Sequence, residues 1–119
     1  MTKIRNSKLY DLEERTLQFT KKSIEFINKL PKTLPNIEIS KQLMRSAGSV
    51  GANYIEANES LSKKDFIMRI KICRKEAKES RYWLKLVSCN KESEKDQTKL
   101  IQESNELMKI FGAILEKSK

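Results

Sequence analysis

Apolar residues recur every three or four positions in four separate stretches of this chain, the spacing that collects side chains on one face of an α-helix. The first runs from about Leu9 to Leu30. It sets Leu12, Phe19, Ser23, Phe26 and Leu30 on one stripe, with Leu17, Thr20, Ile24 and Ile27 beside it, and Pro31 and Pro35 predict its end. The second begins near Ile37 and presents Ile39, Leu43, Ala47, Val50, Tyr54 and Ala57. Gly48 and Gly51 lie inside it, each costing a helix about 1 kcal/mol relative to alanine. They point to close approach of a neighbouring helix at Ala47, Gly48, Gly51 and Ala52, or else to a local break. Ser62-Lys63-Lys64-Asp65 reads as a capping box with Asp in place of Glu. It starts a third helix at Lys63 that extends to about Cys89, with Phe66, Ile70, Cys73, Ala77, Ser80 and Leu84 facing inward. A similar signal, Ser93-Glu94-Lys95-Asp96, opens a fourth, whose stripe is Leu100, Ser104, Leu107, Phe111 and Ile114. Short connections make neighbours antiparallel, so the expected fold is all-α, an up-down-up-down four-helix bundle.

Two apolar rows exceed what such a core needs. Met68, Ile72, Trp83 and Leu86 share a second arc of helix 3, and Ile101, Met108 and Leu115 form a heptad row on helix 4. Either the core is wide, or these residues bury against another copy of the protein. Helix 2 also carries a polar row, Gln42, Ser46, Ser49, Asn53, Glu56 and Ser60, suited to a buried hydrogen-bonded seam or to the rim of a ligand or subunit contact.

Length and composition narrow the possibilities. A chain of 119 residues with three glycines and two prolines suits one domain with no flexible linker. Its longest uncharged stretch, the ten residues from Ser46 to Ile55, is too short to cross a bilayer. The basic N-terminus is followed by no apolar run of signal length, so a cytoplasmic protein is expected. Cys73 and Cys89 stand about 24 Å apart along one helix and read as reduced, structural thiols.

Charge changes the picture most. The net charge is +9, and residues 61–91 hold ten basic against three acidic residues, whereas 1–60 sum to +3 and 92–119 to −1. Lys64, Lys71, Lys78 and Lys85 recur every seven residues of helix 3, flanked by Arg74, Lys75 and Arg81. This cationic stripe, about 32 Å long, suits phosphate binding through counterion release. Glu76 and Glu79 are expected to neutralise part of the same helix, and a merely solvated lysine face is the plainer alternative. Membrane-surface binding is disfavoured because the opposite face is needed for packing.

The chain has no histidine, which removes Ser-His-Asp and Cys-His dyads, imidazole metal ligands and Glu-x-x-His di-iron motifs. It has no P-loop. The pairs Glu56/Glu59 and Glu76/Glu79 could serve a carboxylate-only metal nuclease, but such spacing is common on ordinary helices. No catalytic residue, metal site or cofactor is expected.

The block from Ser46 to Leu86, containing S-V-G-A-N-Y-I-E-A-N-E-S-L-S-K-K-D-F and K-I-C-R-K-E-A-K-E-S-R-Y-W-L, resembles the bacterial four-helix-bundle proteins encoded by intervening sequences within large-subunit ribosomal RNA genes. Tyr10-Asp11-Leu12, Leu30-Pro31 and Gln42-Leu43 with Arg45 fit the same pattern, so the resemblance reaches to about Ser88. It departs at Ala57-Asn58, where many members place Glu-Gly. The resemblance implies a ring-like homopentamer with no assigned enzymatic activity, similar to the basic accessory protein of diversity-generating retroelements. Its recurring positions, here Ser49, Asn53, Glu56, Asp65, Phe66, Glu76, Glu79 and Trp83, fit folding and assembly as well as binding. The expectation is an oligomer that joins through Met68, Ile72, Trp83, Leu86, Ile101 and Met108 and grips RNA or DNA with Lys64, Lys71, Arg74, Lys75, Lys78, Arg81 and Lys85. The alternative is a structural oligomer whose ligand is another polypeptide.

Overall fold

A computed structural model describes residues 3–119, with side chains from Leu12 onward; Tyr10 and Asp11 of the family-like pattern fall outside the described side chains. Four helices follow one another, α1 (Lys3–Asn28), α2 (Leu34–Asn58), α3 (Lys63–Leu86) and α4 (Glu94–Lys117), with a single 3₁₀ turn (Lys91–Ser93) before the last. Each packs against its neighbours in sequence, and α1 also meets α4, which closes an antiparallel four-helix bundle.

The ends of the helices follow local chemistry, and in places depart from the sequence expectation. Pro35 does not end α1; it lies in the first turn of α2, where its missing N–H costs nothing. Thr33 caps that turn by accepting a hydrogen bond from the Asn36 N–H at 3.3 Å, so α2 starts ahead of Ile37. α1 starts ahead of Leu9 and stops at Asn28, short of Leu30. Ser62 caps α3 as expected, accepting from the Asp65 N–H at 3.1 Å. That helix ends at Leu86 rather than Cys89, because Val87 turns extended and buries its side chain. The capping box expected at Ser93 does not form. Ser93 is buried at the close of the 3₁₀ turn, its N–H bonding to the Asn90 carbonyl at 2.9 Å while its hydroxyl makes no cap.

One cluster of buried side chains joins all four helices, including Leu12, Phe19 and Phe26 of α1, Leu43, Val50 and Tyr54 of α2, Ile70, Cys73 and Leu84 of α3, and Leu100, Leu107 and Phe111 of α4. The buried hydroxyls of Thr16, Ser23, Ser80 and Ser104 donate to carbonyls three or four residues back in their own helices, so burial leaves them satisfied.

The α2–α3 pair is tied at four levels. Asn36 donates to the Ser88 carbonyl at 2.8 Å and accepts from the Ser88 N–H at 3.0 Å, the Ser80 and Ser46 hydroxyls meet at 2.8 Å, Cys73 reaches the Val50 carbonyl at 3.4 Å, and Arg69 donates to Asn53 at 2.9 Å. The same Asn36 amide donates to the Pro31 carbonyl at 2.9 Å, joining the two loops at that end of the bundle. Between α1 and α4 the helices part around a cleft of about 540 Å³, floored by Phe19, Phe26 and Leu100. Arg15 spans one end to Glu103 with bonds of 2.7 and 2.9 Å, and Lys29 the other to Asp96 at 3.4 Å.

Both glycines of α2 sit in continuous helix, with different neighbours. A Cβ on Gly51 would stand 3.0 Å from the Thr16 hydroxyl, whose oxygen is already held by the Leu12 and Glu13 carbonyls, so Gly51 does permit a close approach of α1. Gly48 has nothing within 4 Å and permits none. Gly48→Ala is therefore expected to stabilise the fold by about 1 kcal/mol, the helix-propensity gain, whereas Gly51→Ala should lose that gain to the clash and lower the urea midpoint of unfolding.

Candidate nucleic-acid interface

Helix α3 has two chemically distinct flanks. On the side of α2, Glu76 keeps only 8 % of its side chain exposed and pairs with Arg45 at 3.3 Å; the same guanidinium holds Glu79. Asn53, which accepts from Arg69, also donates to the Ser49 carbonyl and hydroxyl at 2.9 Å. Ser46, Ser49 and Asn53 of the polar row thus belong to a hydrogen-bonded seam against α3. Gln42 only touches Arg45, at 3.4 Å, Ser60 bonds back to the Glu56 carbonyl, and Glu56 itself is exposed.

This seam corrects the expected charge balance. Arg45 holds Glu76 and Glu79 on the opposite flank, and of the stripe residues only Lys75 pairs with either of them among the described residues. The stripe lies toward α4, as fixed by Arg81, which donates to Asn105 of α4 at 2.6 Å and is flanked at helical spacing by Arg74, Lys78 and Lys85. Lys64, Lys71, Arg74, Lys75, Lys78 and Lys85 are all exposed, and Arg81 is half-buried. Lys75 stands 3.8 Å from Glu76, while among the described residues no carboxylate lies within 4.0 Å of Lys64, Lys71, Arg74, Lys78 or Lys85. The acidic side chains at the middle of α4 face away, since Glu103 and Glu106 act on Arg15 of α1 and raise its pKa, chiefly through the Glu103 hydrogen bond.

The residues expected at a subunit contact divide. Met68 and Leu86 are about half exposed. Trp83, Ile101 and Met108 are half-buried against the core, and Ile72 is half-buried as well. Trp83 stands seven residues after Glu76 and Ile72 four before it, on the α2 flank of α3. Ile101 and Met108 bracket Asn105, on the α3 flank of α4. The two rows therefore sit on opposite sides of α3 and do not make one continuous arc. The indole N–H of Trp83 is buried with no hydrogen-bond partner among the described residues.

Sequence reasoning passed over Tyr82. The residue is 58 % exposed, and its ring meets Trp83 edge-on, centroids 5.0 Å apart at 72°. The available signal was an aromatic four residues after Lys78 and three before Lys85, inside the basic stripe.

The chain matches the model of the 23S rRNA-intervening sequence protein family over residues 9–113. It belongs to that family. Among solved structures, it is similar to a protein of unknown function from the S23 ribosomal protein family of Bacteroides thetaiotaomicron, with 28 % identity, a TM-score of 0.74, and 87 % of this chain and 96 % of that one covered. None of the curated proteins matches it. Neither the family description nor that of the solved relative names an enzymatic activity. Among the described residues of this family member, no three His, Cys, Asp or Glu side chains stand close enough to hold a metal ion, and no helix is long and apolar enough to cross a membrane.

Both thiols are protected. Burial pushes the Cys73 pKa from 9.0 to about 12, and it raises that of half-buried Cys89, which Glu94 raises further. A thiol with a raised folded-state pKa favours folding fully below its unfolded value. That contribution is lost as pH rises from about 9 towards 12. Unfolding titrations are expected to show stability falling across that alkaline window, and a thiol reagent at pH 8 should modify Cys89 well before Cys73; prompt labelling of Cys73 would contradict its burial.

Proposed function

We propose that this chain is a non-enzymatic helical bundle that associates with copies of itself and binds the phosphates of RNA or DNA through the basic flank of α3, in the cytoplasm. The observation that carries the reading is the segregation of charge. The acidic residues of α3 most able to quench the stripe are bound to Arg45 on the other flank, leaving Lys64, Lys71, Arg74, Lys78 and Lys85 free of carboxylates among the described residues. Such a row recognises backbone charge and reads little sequence. The family's name refers to 23S rRNA, which makes RNA the first ligand to try.

Self-association is supported by exposed apolar side chains at matched heights. The ties between α2 and α3 place Ile55 level with Met68 and Ile37 level with Leu86, and all four are between 42 % and 52 % exposed. Leu17 and Ile24 of α1 extend the α2 side of this surface. Two unlike apolar faces at equal height suit head-to-tail contacts, which close into a ring about an axis along the bundle. The ring-like pentamer implied by the family resemblance is such an assembly, and it would repeat the stripe around its circumference so that weak contacts add.

Reversal of Lys71, Lys78 and Lys85 to Glu should abolish RNA binding with helicity unchanged. The wild-type affinity should fall steeply between about 50 and 200 mM salt. Binding that survives the reversal would refute the phosphate reading and favour a polypeptide ligand. Light scattering on nuclease-treated protein should give a multiple of the 13.9 kDa chain, and Met68→Glu or Ile55→Glu should each reduce it to the monomer; a wild-type monomer would refute self-association.

A further inference from the structure

Salt-dependent phosphate contacts alone do not distinguish a duplex from a single strand. Tyr82 supplies that distinction. Helical spacing places its ring between Lys78, four residues before, and Lys85, three after, with Lys75 one heptad back along the same row. It is the most exposed aromatic residue among the described residues, at 58 %, whereas Phe19, Phe26, Tyr54 and Phe111 are all buried. Trp83 braces it edge-on, with ring centroids 5.0 Å apart, and Trp83 is itself packed against the core. A flat, accessible ring beside Lys78 and Lys85, which have no carboxylate within 4.0 Å among the described residues, matches what an unstacked base and its neighbouring phosphates require: a π-face for the base and ammonium groups for the backbone. Bases inside a duplex stay stacked and cannot use it.

We propose that Tyr82 is a base-stacking platform and that the preferred ligand of the basic flank is single-stranded nucleic acid, with Lys75, Lys78 and Lys85 holding the phosphates on either side of the stacked base. This rests on the phosphate-binding reading above and adds the ligand's strandedness and the residue that selects it.

The test is fluorescence anisotropy with a labelled single-stranded RNA and a duplex of equal length, on wild type, Tyr82→Phe, Tyr82→Ala and Lys78→Ala, with light scattering on each. The single strand should bind wild type more tightly. Tyr82→Ala should weaken single-strand binding by about tenfold and leave duplex binding within about twofold, while Tyr82→Phe, which keeps the π-face, should restore it. Lys78→Ala should weaken both ligands and reduce the salt dependence by about one phosphate contact. Trp83 is the sole tryptophan, so its emission should change on adding single strand to wild type but not to Tyr82→Ala. Equal losses for both ligands, no loss in Tyr82→Ala, or a change in its assembled mass would overturn the stacking role. A wild type that binds duplex and single strand alike would overturn it and leave the phosphate reading standing. A wild type that binds neither would overturn both.

Discussion

The register of α2 against α3 governs most of what this molecule presents to its surroundings. Small side chains bring the two helices close enough for a serine hydroxyl to meet a serine hydroxyl and for the Cys73 thiol to reach the Val50 carbonyl. At that distance one residue of slip would separate Arg45 from Glu76, Asn53 from Arg69 and Asn36 from Ser88 together. Leaving Glu76 buried without its cation would cost several kcal/mol were the pair fully desolvated, and less here because Arg45 is half exposed. The polar seam thus selects one alignment among those that a purely apolar contact would allow.

That alignment also decides where charge goes. A helix with nine basic residues and three acidic ones could spread its field in all directions. Here the seam holds Glu76 and Glu79 on one flank, and Arg15 of α1 holds Glu103 of α4 on the side away from α3. What remains is a strip of like charges along the exposed flank of α3 toward α4. Mutual repulsion in such a strip is a cost to folding, small for exposed ammonium groups in salt and relieved when polyanions bind.

How much of this was legible depended on the distance over which each feature acts. The inward stripes of all four helices could be read because a 3.6-residue period is local, and every expected inward position of α4 from Leu100 to Phe111 is buried. Ser62 was readable as a cap for the same reason. Ser93 has the same motif and fails, because a 3₁₀ turn fixes its backbone outside the capping conformation. The role of Pro35 depended on which of two helices claimed it. The partner of Glu76 lies 31 residues away on another helix, and no periodicity on α3 could name it. Likewise a helical wheel ranks residues around an axis without saying which neighbour stands on which side, so Trp83 and Met108 were assigned to the same subunit contact. Tyr82 was overlooked because the local pattern does not tell an exposed aromatic from its neighbour Trp83, which packs on the core.

The cleft between α1 and α4 has a consequence for how the bundle comes apart. Across it, α1 is held by two ion pairs, Arg15 with Glu103 and Lys29 with Asp96, and solvent-accessible pairs of this kind each contribute on the order of 1 kcal/mol or less. The remaining helices are joined by buried seams. The least costly opening therefore parts α1 from α4 along the cleft and lets water reach Phe19 and Phe26, while the Thr20 bond to the Ala47 carbonyl, the Asn58 bond to Glu13 and the close approach at Gly51 keep α1 on α2.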